Sequence, residues 1–192
     1  MAQWRFFSRA KRDSKPKKRK ERGAALVEFA LVAPLFFTVV FGGIEFGLMA
    51  RTQLTIQDVA RSAARVASIE RTTPDADRAI LESIQNRAGA LNGSIERVVI
   101  FAPDTLVEDV PMGCTGELAA SDDDVCTVYE DTDIAGIVDG SQSLPTVGFL
   151  ASDRGQLSNV GVYIEFEYRF VTGFFDTRIM RATSVEVVEL DL

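Results

Sequence analysis

The sequence has no histidine anywhere and no lysine beyond Lys20. Without histidine there is no His-based catalytic triad and no His-ligated zinc. Cysteine is almost as scarce, with only Cys114 and Cys126. If those two pair, no thiol nucleophile remains. The chain also lacks a G-x-S-x-G elbow and a phosphate-binding loop. These gaps remove the common routes to hydrolysis, so an extracytoplasmic hydrolase is the weakest of the function classes that the sequence allows. The expectation is a protein that is not an enzyme and needs no cofactor or metal.

What charge there is divides unevenly. Ten of the 21 Lys and Arg residues fall within residues 1–23, against only Asp13 and Glu21, so this leader carries +8. The remainder holds 11 basic and 26 acidic residues, or −15. A basic arm beside a folded reading module can bind nucleic acid through phosphate contacts. Here the arm adjoins the most apolar stretch of the chain, which is the pattern of a cytoplasmic membrane flank. Residues 1–23 are therefore read as a cytoplasmic leader, the acidic part as extracytoplasmic, and nucleic acid is not expected as a partner.

Residues 24–50 read AALVEFALVAPLFFTVVFGGIEFGLMA. The uncharged run 29–44 is slightly short for a membrane helix, which needs about 20 residues. The full 24–50 stretch is long enough if Glu28 and Glu45 sit near the two interfaces. Pro34 lies inside this helix, where it removes a hydrogen bond and favours a kink. Gly42, Gly43 and Gly47 permit close helix approach. No small-residue A-x-A site follows, so a retained single-pass anchor is favoured over a cleaved secretory signal.

The helical period continues through 51–70, where Leu54, Ile56, Val59, Ala60, Ala63, Ala64, Ala67 and Ser68 share a side. Such a stripe of small residues packs closely, either on its own domain or against neighbouring copies. Both uses remain open. Beyond a break at Thr72-Thr73-Pro74-Asp75, Ala76, Ile80, Ile84, Ala88 and Leu91 mark a second helix ending at Asn92-Gly93, with Thr73 or Asp75 as its cap. The run 95–101 (IERVVIF) reads as a strand. In VGVYIEFEYRF the even-numbered residues from Val160 to Phe170 alternate with Gly161, Tyr163, Glu165, Glu167 and Arg169, predicting a half-buried strand with its glutamates on the open face. Thr172-Gly173 reads as a turn, and 179–190 as its partner strand. The expected fold of 71–192 is an α+β domain, three strands of antiparallel sheet against one or two helices.

Residues 104–153 read as an acidic loop. Asp122, Asp123, Asp124, Glu130, Asp131 and Asp133 make either a solvated face or a calcium site, although the D-x-D-x-D-G spacing and its distal glutamate are missing. Cys114 and Cys126 bracket part of it. On the far side of a membrane a disulfide is the expected state, closing a loop that adds about 3 kcal/mol in the chain-entropy model.

Glu28 is the remaining exception, because an ionisable residue inside a membrane segment marks function by default. Wet headgroups can also accommodate it. A cut after Gly23 would place the new ammonium of Ala24 four residues from this carboxylate, and their attraction would offset part of its desolvation.

Gly23 followed by AALVEF resembles the cleavage region of type IV pilin precursors. RGAALVEFALVAPLFF, then GIEFG, then DVARSAARVAS resemble the TadE-like family, pseudopilins of the tight-adherence (Tad/Flp) pilus system, over residues 22–68. That resemblance implies cleavage between Gly23 and Ala24 by a prepilin peptidase, and an assembly role for Glu28. It also draws Pro34 and Glu45 into the family pattern. Phe29 stands where the major pilins of this system usually have tyrosine, which implies a minor component. Expected partners are the membrane, pilin and pseudopilin subunits, Tad secretion machinery and the peptidase. The alternative is a membrane-tethered extracytoplasmic binding or adhesion module that never enters a pilus.

Overall fold

The structure is a computed structural model, and it describes residues 21–70, 72–103, 110–115, 125–146, 148–150, 154, 159–173 and 175–187. The leader 1–20, Arg71, the triad Asp122-Asp123-Asp124 and the end of the last predicted strand lie outside them. The first element, α1 (Glu21–Ile69), is unbroken by Pro34. Two compact units divide the chain, residues 1–42 and 43–192.

In the first unit the described residues are helical, and large apolar side chains from Leu26 to Phe41 are exposed. This helix is long and apolar enough to cross a membrane. Thr38 Oγ1 donates to the Pro34 carbonyl at 2.8 Å, a side-chain bond of the kind that accompanies local bending. Phe37 stacks on Phe41, with centroids 5.9 Å apart.

The second unit contains the rest of α1, then α2 (Ala76–Ala88), β1 (Gly93–Phe101), a 3-10 turn at Met112–Cys114, β2 (Cys126–Glu130), α3 (Asp131–Asp139), β3 (Asn159–Tyr168) and β4 (Arg178–Val187). Among the described residues the strands form one sheet in the order β2-β1-β3-β4, and every neighbouring pair is antiparallel. Helices and sheet together make the predicted α+β domain beyond a long apolar helix.

The main core joins one sheet face to the helices. Ile56, Val59, Ala60, Ala63, Ala64 and Ala67 of α1 meet Ile80, Leu81 and Ile84 of α2, and Val162, Ile164 and Phe166 of β3. Alanine is the common residue on α1 because small side chains let a helix backbone approach a sheet closely. The stripe is thus used within its own domain. Leu54 does not belong to it, being 64% exposed.

A smaller cluster on the other face contains Val99, Phe101, Cys114, Cys126 and Tyr163. Phe101 lies opposite Gly161, and its ring occupies the space where a Cβ at 161 would stand, 2.3 Å away. Glycine is needed there because the ring and a side chain cannot share that volume.

Four expectations change. The supposed loop 104–153 contains β2 and α3, so the sheet has four strands where three were expected. CTVYE is short, and the carboxylates after it mask it in composition. Asp131 and Asp133 sit in the first turn of α3, where the helix dipole favours negative charge. The second helix stops at Ala88, not at Asn92, and Leu91 packs on the core from the connection. Asp75 is the residue before that helix but makes no capping bond with its side chain; Thr73 instead donates to the Glu70 carbonyl at 3.0 Å. Finally, β3 is buried on both faces, because it is a central strand covered by helices on one side and by the smaller cluster on the other.

Candidate functional site

The sequence-predicted site residues fall into separate places. In the first unit Gly23, Ala24, Glu28, Phe29 and Pro34 are all exposed along α1. A Cβ at Gly23 would meet nothing within 4 Å. Glu28 makes no ion pair or hydrogen bond among the described residues. One turn further along, its own helical face carries Leu31 and Val32, which are 76% and 56% exposed. A lone carboxylate thus stands on an uncovered apolar surface.

Glu45 differs in every respect. It is 2% exposed, within the second unit. Its carboxylate accepts from the Thr172 backbone N–H, and Tyr168 Oη lies 3.5 Å from the other oxygen. Thr172 belongs to the turn between β3 and β4, whose Gly173 has φ of 67°. The glutamate of GIEFG therefore fastens a sheet turn to α1, and its charge is committed inside its own chain. The sequence reading missed this partner, 127 residues away in the chain.

Two polar constructions that sequence reasoning did not find hold the second unit together. The first runs across the sheet. Glu130, Arg97, Glu165 and Arg181 are aligned by register on β2, β1, β3 and β4. Their charges alternate in sign, with ion-pair distances of 3.1, 3.0 and 3.0 Å. Cross-strand opposite charges favour this register over a slipped one. Glu165 was expected on an open face but is 7% exposed, because the ladder and the Tyr163 hydroxyl, 2.6 Å away, enclose it. Burial raises the pKa of this carboxyl. The hydrogen bonds from Tyr163 and Arg181, with the charges of Arg97 and Arg181, outweigh that and hold it below the ordinary glutamate value. Burial and the same carboxylate push the Tyr163 hydroxyl up.

The second construction is buried among α2, β2 and the connection before β3. Asp77 accepts from Arg154 and from the Tyr129 hydroxyl. Arg154 is fully buried, donates to the Phe149 carbonyl at 2.8 Å and lies 5.2 Å above the Phe149 ring. Burial and the Asp77 charge push the Tyr129 hydroxyl up. Nη1 and Nη2 of Arg154 are thus both bonded, while its Nε has no hydrogen-bond partner among the described residues, and the bonds to Asp77 and Phe149 tie these elements to one another.

Cys114 and Cys126 form a disulfide across a Cα separation of 6.3 Å, joining the 3-10 turn to β2. Of the carboxylates considered for calcium, Glu130 is in the ladder and Asp131 accepts from the Thr132 N–H at 2.7 Å. Both therefore have protein partners.

The lone carboxylate five residues after Gly23, and the second glutamate that fastens α1 to its own domain, are the features a family comparison has to explain. Residues 23–65 match the TadE-like protein family. The TadE-like segment starts at Gly23 and covers the exposed apolar helix, Glu28, Glu45 and most of the alanine stripe. It agrees with the resemblance read over 22–68. Neither a curated protein nor a solved structure matches the chain. The TadE-like match suggests involvement in the Tad pilus system, and the family is a structural, pilus-associated one. Downstream of residue 65 the α+β domain is described by its own structure alone.

Proposed function

We propose that the chain is a non-enzymatic, membrane-anchored pseudopilin-like component of Tad pilus assembly or secretion. Within residues 24–50 the chain crosses the cytoplasmic membrane, with Glu45 at the outer interface; the leader 1–23 stays in the cytoplasm, and residues 71–192 project outward. A prepilin peptidase cuts after Gly23. The observation that carries this reading is Glu28, exposed and without a partner among the described residues, on an apolar helix at the start of the family match. A charged side chain at the centre of a membrane helix costs roughly 2.5–3.5 kcal/mol on insertion scales, and Glu28, four residues from Ala24 and nearer the interface, costs less than that. The Ala24 ammonium made by cleavage, on the same or an adjacent copy, offsets that cost and sets the register between packed helices.

The alanine stripe is covered by its own sheet, and Glu45 is bonded within its own domain. Contacts with pilin or pseudopilin helices therefore fall on residues 23–44. The same burial gives the plain tethered adhesion module its support, since one candidate assembly surface is already occupied. Glu28→Leu separates the two readings. Assembly predicts loss of pilus incorporation and of crosslinking to pilin subunits with the protein still in the membrane. Unchanged incorporation and crosslinking would leave only the tether.

A further inference from the structure

We propose that the turn between β3 and β4 dips into the extracytoplasmic face of the membrane, a second lipid contact besides the anchor. This rests on the anchor reading above. The uncharged run ends at Ile44, so Glu45 is the first charged residue after it. A span of about 20 residues counted from Ala24 ends within a residue or two of that point. Glu45 therefore lies at the outer interface, and its bond to the Thr172 N–H holds the turn at the same depth.

The side chains at that end suit a lipid interface. Phe46, Val171 and Phe175 are 67%, 64% and 58% exposed. Phe175 leans on Phe170, with centroids 5.2 Å apart, so the turn presents its apolar groups from a packed base. Arg178 lies with Phe46, Met49 and Ile179 along a groove of roughly 430 Å³. Its guanidinium approaches the Met49 sulfur at 3.9 Å and makes no ion pair among the described residues. Asp176, also exposed, folds back on the Thr177 N–H at 3.0 Å. Aromatic rings with an arginine that has no carboxylate partner among the described residues match the headgroup region, where rings sit between water and hydrocarbon and a cation meets phosphate. The opposite end of β4 gives the contrast. Gln53 of α1 donates to the Arg181 carbonyl at 3.0 Å, so helix and strand run on together from the Glu45 contact. Val187, nine residues along β4 from Arg178, is about 30 Å further away.

The experiment uses the full chain in phosphatidylcholine vesicles, with Trp4→Phe as background and single reporters Phe175→Trp, Val171→Trp, Val187→Trp and Phe36→Trp. The probes are two phosphatidylcholines, one brominated near the headgroup end of its acyl chains, read for the turn reporters and Val187→Trp, and one brominated deep in its acyl chains, read for Phe36→Trp, which lies near the bilayer centre. The expected result is quenching of Phe175→Trp and Val171→Trp several-fold greater than that of Val187→Trp, with Phe36→Trp also quenched. If Phe36→Trp is quenched while both turn reporters behave like Val187→Trp, the turn is in water and the inference is overturned. Blue-shifted but unquenched turn reporters would overturn it too, because a protein surface then covers them. An unquenched Phe36→Trp defeats the anchor reading, and this inference with it.

Discussion

Removing the Asp77 carboxylate should be the most damaging single change in the second unit. Asp77 is 4% exposed and Arg154 fully buried, so Asp77→Ala strands a guanidinium where water cannot replace its partner. Tyr129 loses its acceptor in the same step. Breaking one side of a buried pair costs about 3–5 kcal/mol. For a unit of this size each kcal/mol moves Tm by about 2–4 °C, so a fall of roughly 10 °C is expected. Near-UV circular dichroism of the full chain in detergent follows the loss of tertiary packing. Replacing the network as a whole, by Asp77→Leu, Tyr129→Phe and Arg154→Met together, leaves no charge unpaired. It should recover most of the loss, since well-packed apolar replacements of buried ion pairs are often neutral. A single variant melting within about 1 kcal/mol of the parent would refute the reasoning, because surface pairs cost no more than that. So would a combined variant no better than Asp77→Ala.

Three further outcomes follow from the same geometry. Glu165 has a folded pKa below its reference value of 4.5, so its stabilisation is full above that value and is lost as pH falls through the folded pKa. Thermal melts between about pH 6 and pH 3 should show a stability loss that Glu165→Gln reduces, and identical slopes would contradict the ladder. Reducing the Cys114–Cys126 bond should lower stability by about 3 kcal/mol, and thiol labelling of the denatured, unreduced chain should find no free cysteine. Glu45→Ala should speed hydrogen exchange at the Thr172 amide and proteolysis near the turn, leaving exchange at Val162 and Ile164 unchanged; uniform acceleration would mean global destabilisation instead.

The apolar helix, its small-residue continuation through 51–70, the second helix and β3 were legible because each repeats one periodicity over many residues. The α+β class followed from them. What escaped was set by contacts distant in sequence. CTVYE is too short to stand out before DTD, and only its register against β1 makes it an edge strand. Alternation correctly divided β3 into two sides but did not reveal that both would be covered. Glu165 looked like a solvated residue because its partners Arg97 and Arg181 come from other strands. Asp77 lies in the first turn of α2, where an acidic residue is ordinary, and nothing near Arg154 in sequence announces a buried guanidinium. At the candidate site, Glu28 could be singled out by its cost in an apolar run. The two glutamates looked alike in sequence, yet one is bare on the helix and the other holds a turn of its own domain.

The central claim is that Glu28 awaits an amine created by cleavage after Gly23. Determining the N-terminus of the protein extracted from membranes of cells with an active prepilin peptidase, by terminal sequencing or intact mass, tests it most directly. The account predicts a chain beginning at Ala24, with or without a methyl group on its amine. A chain still beginning at Met1 or Ala2 would contradict it.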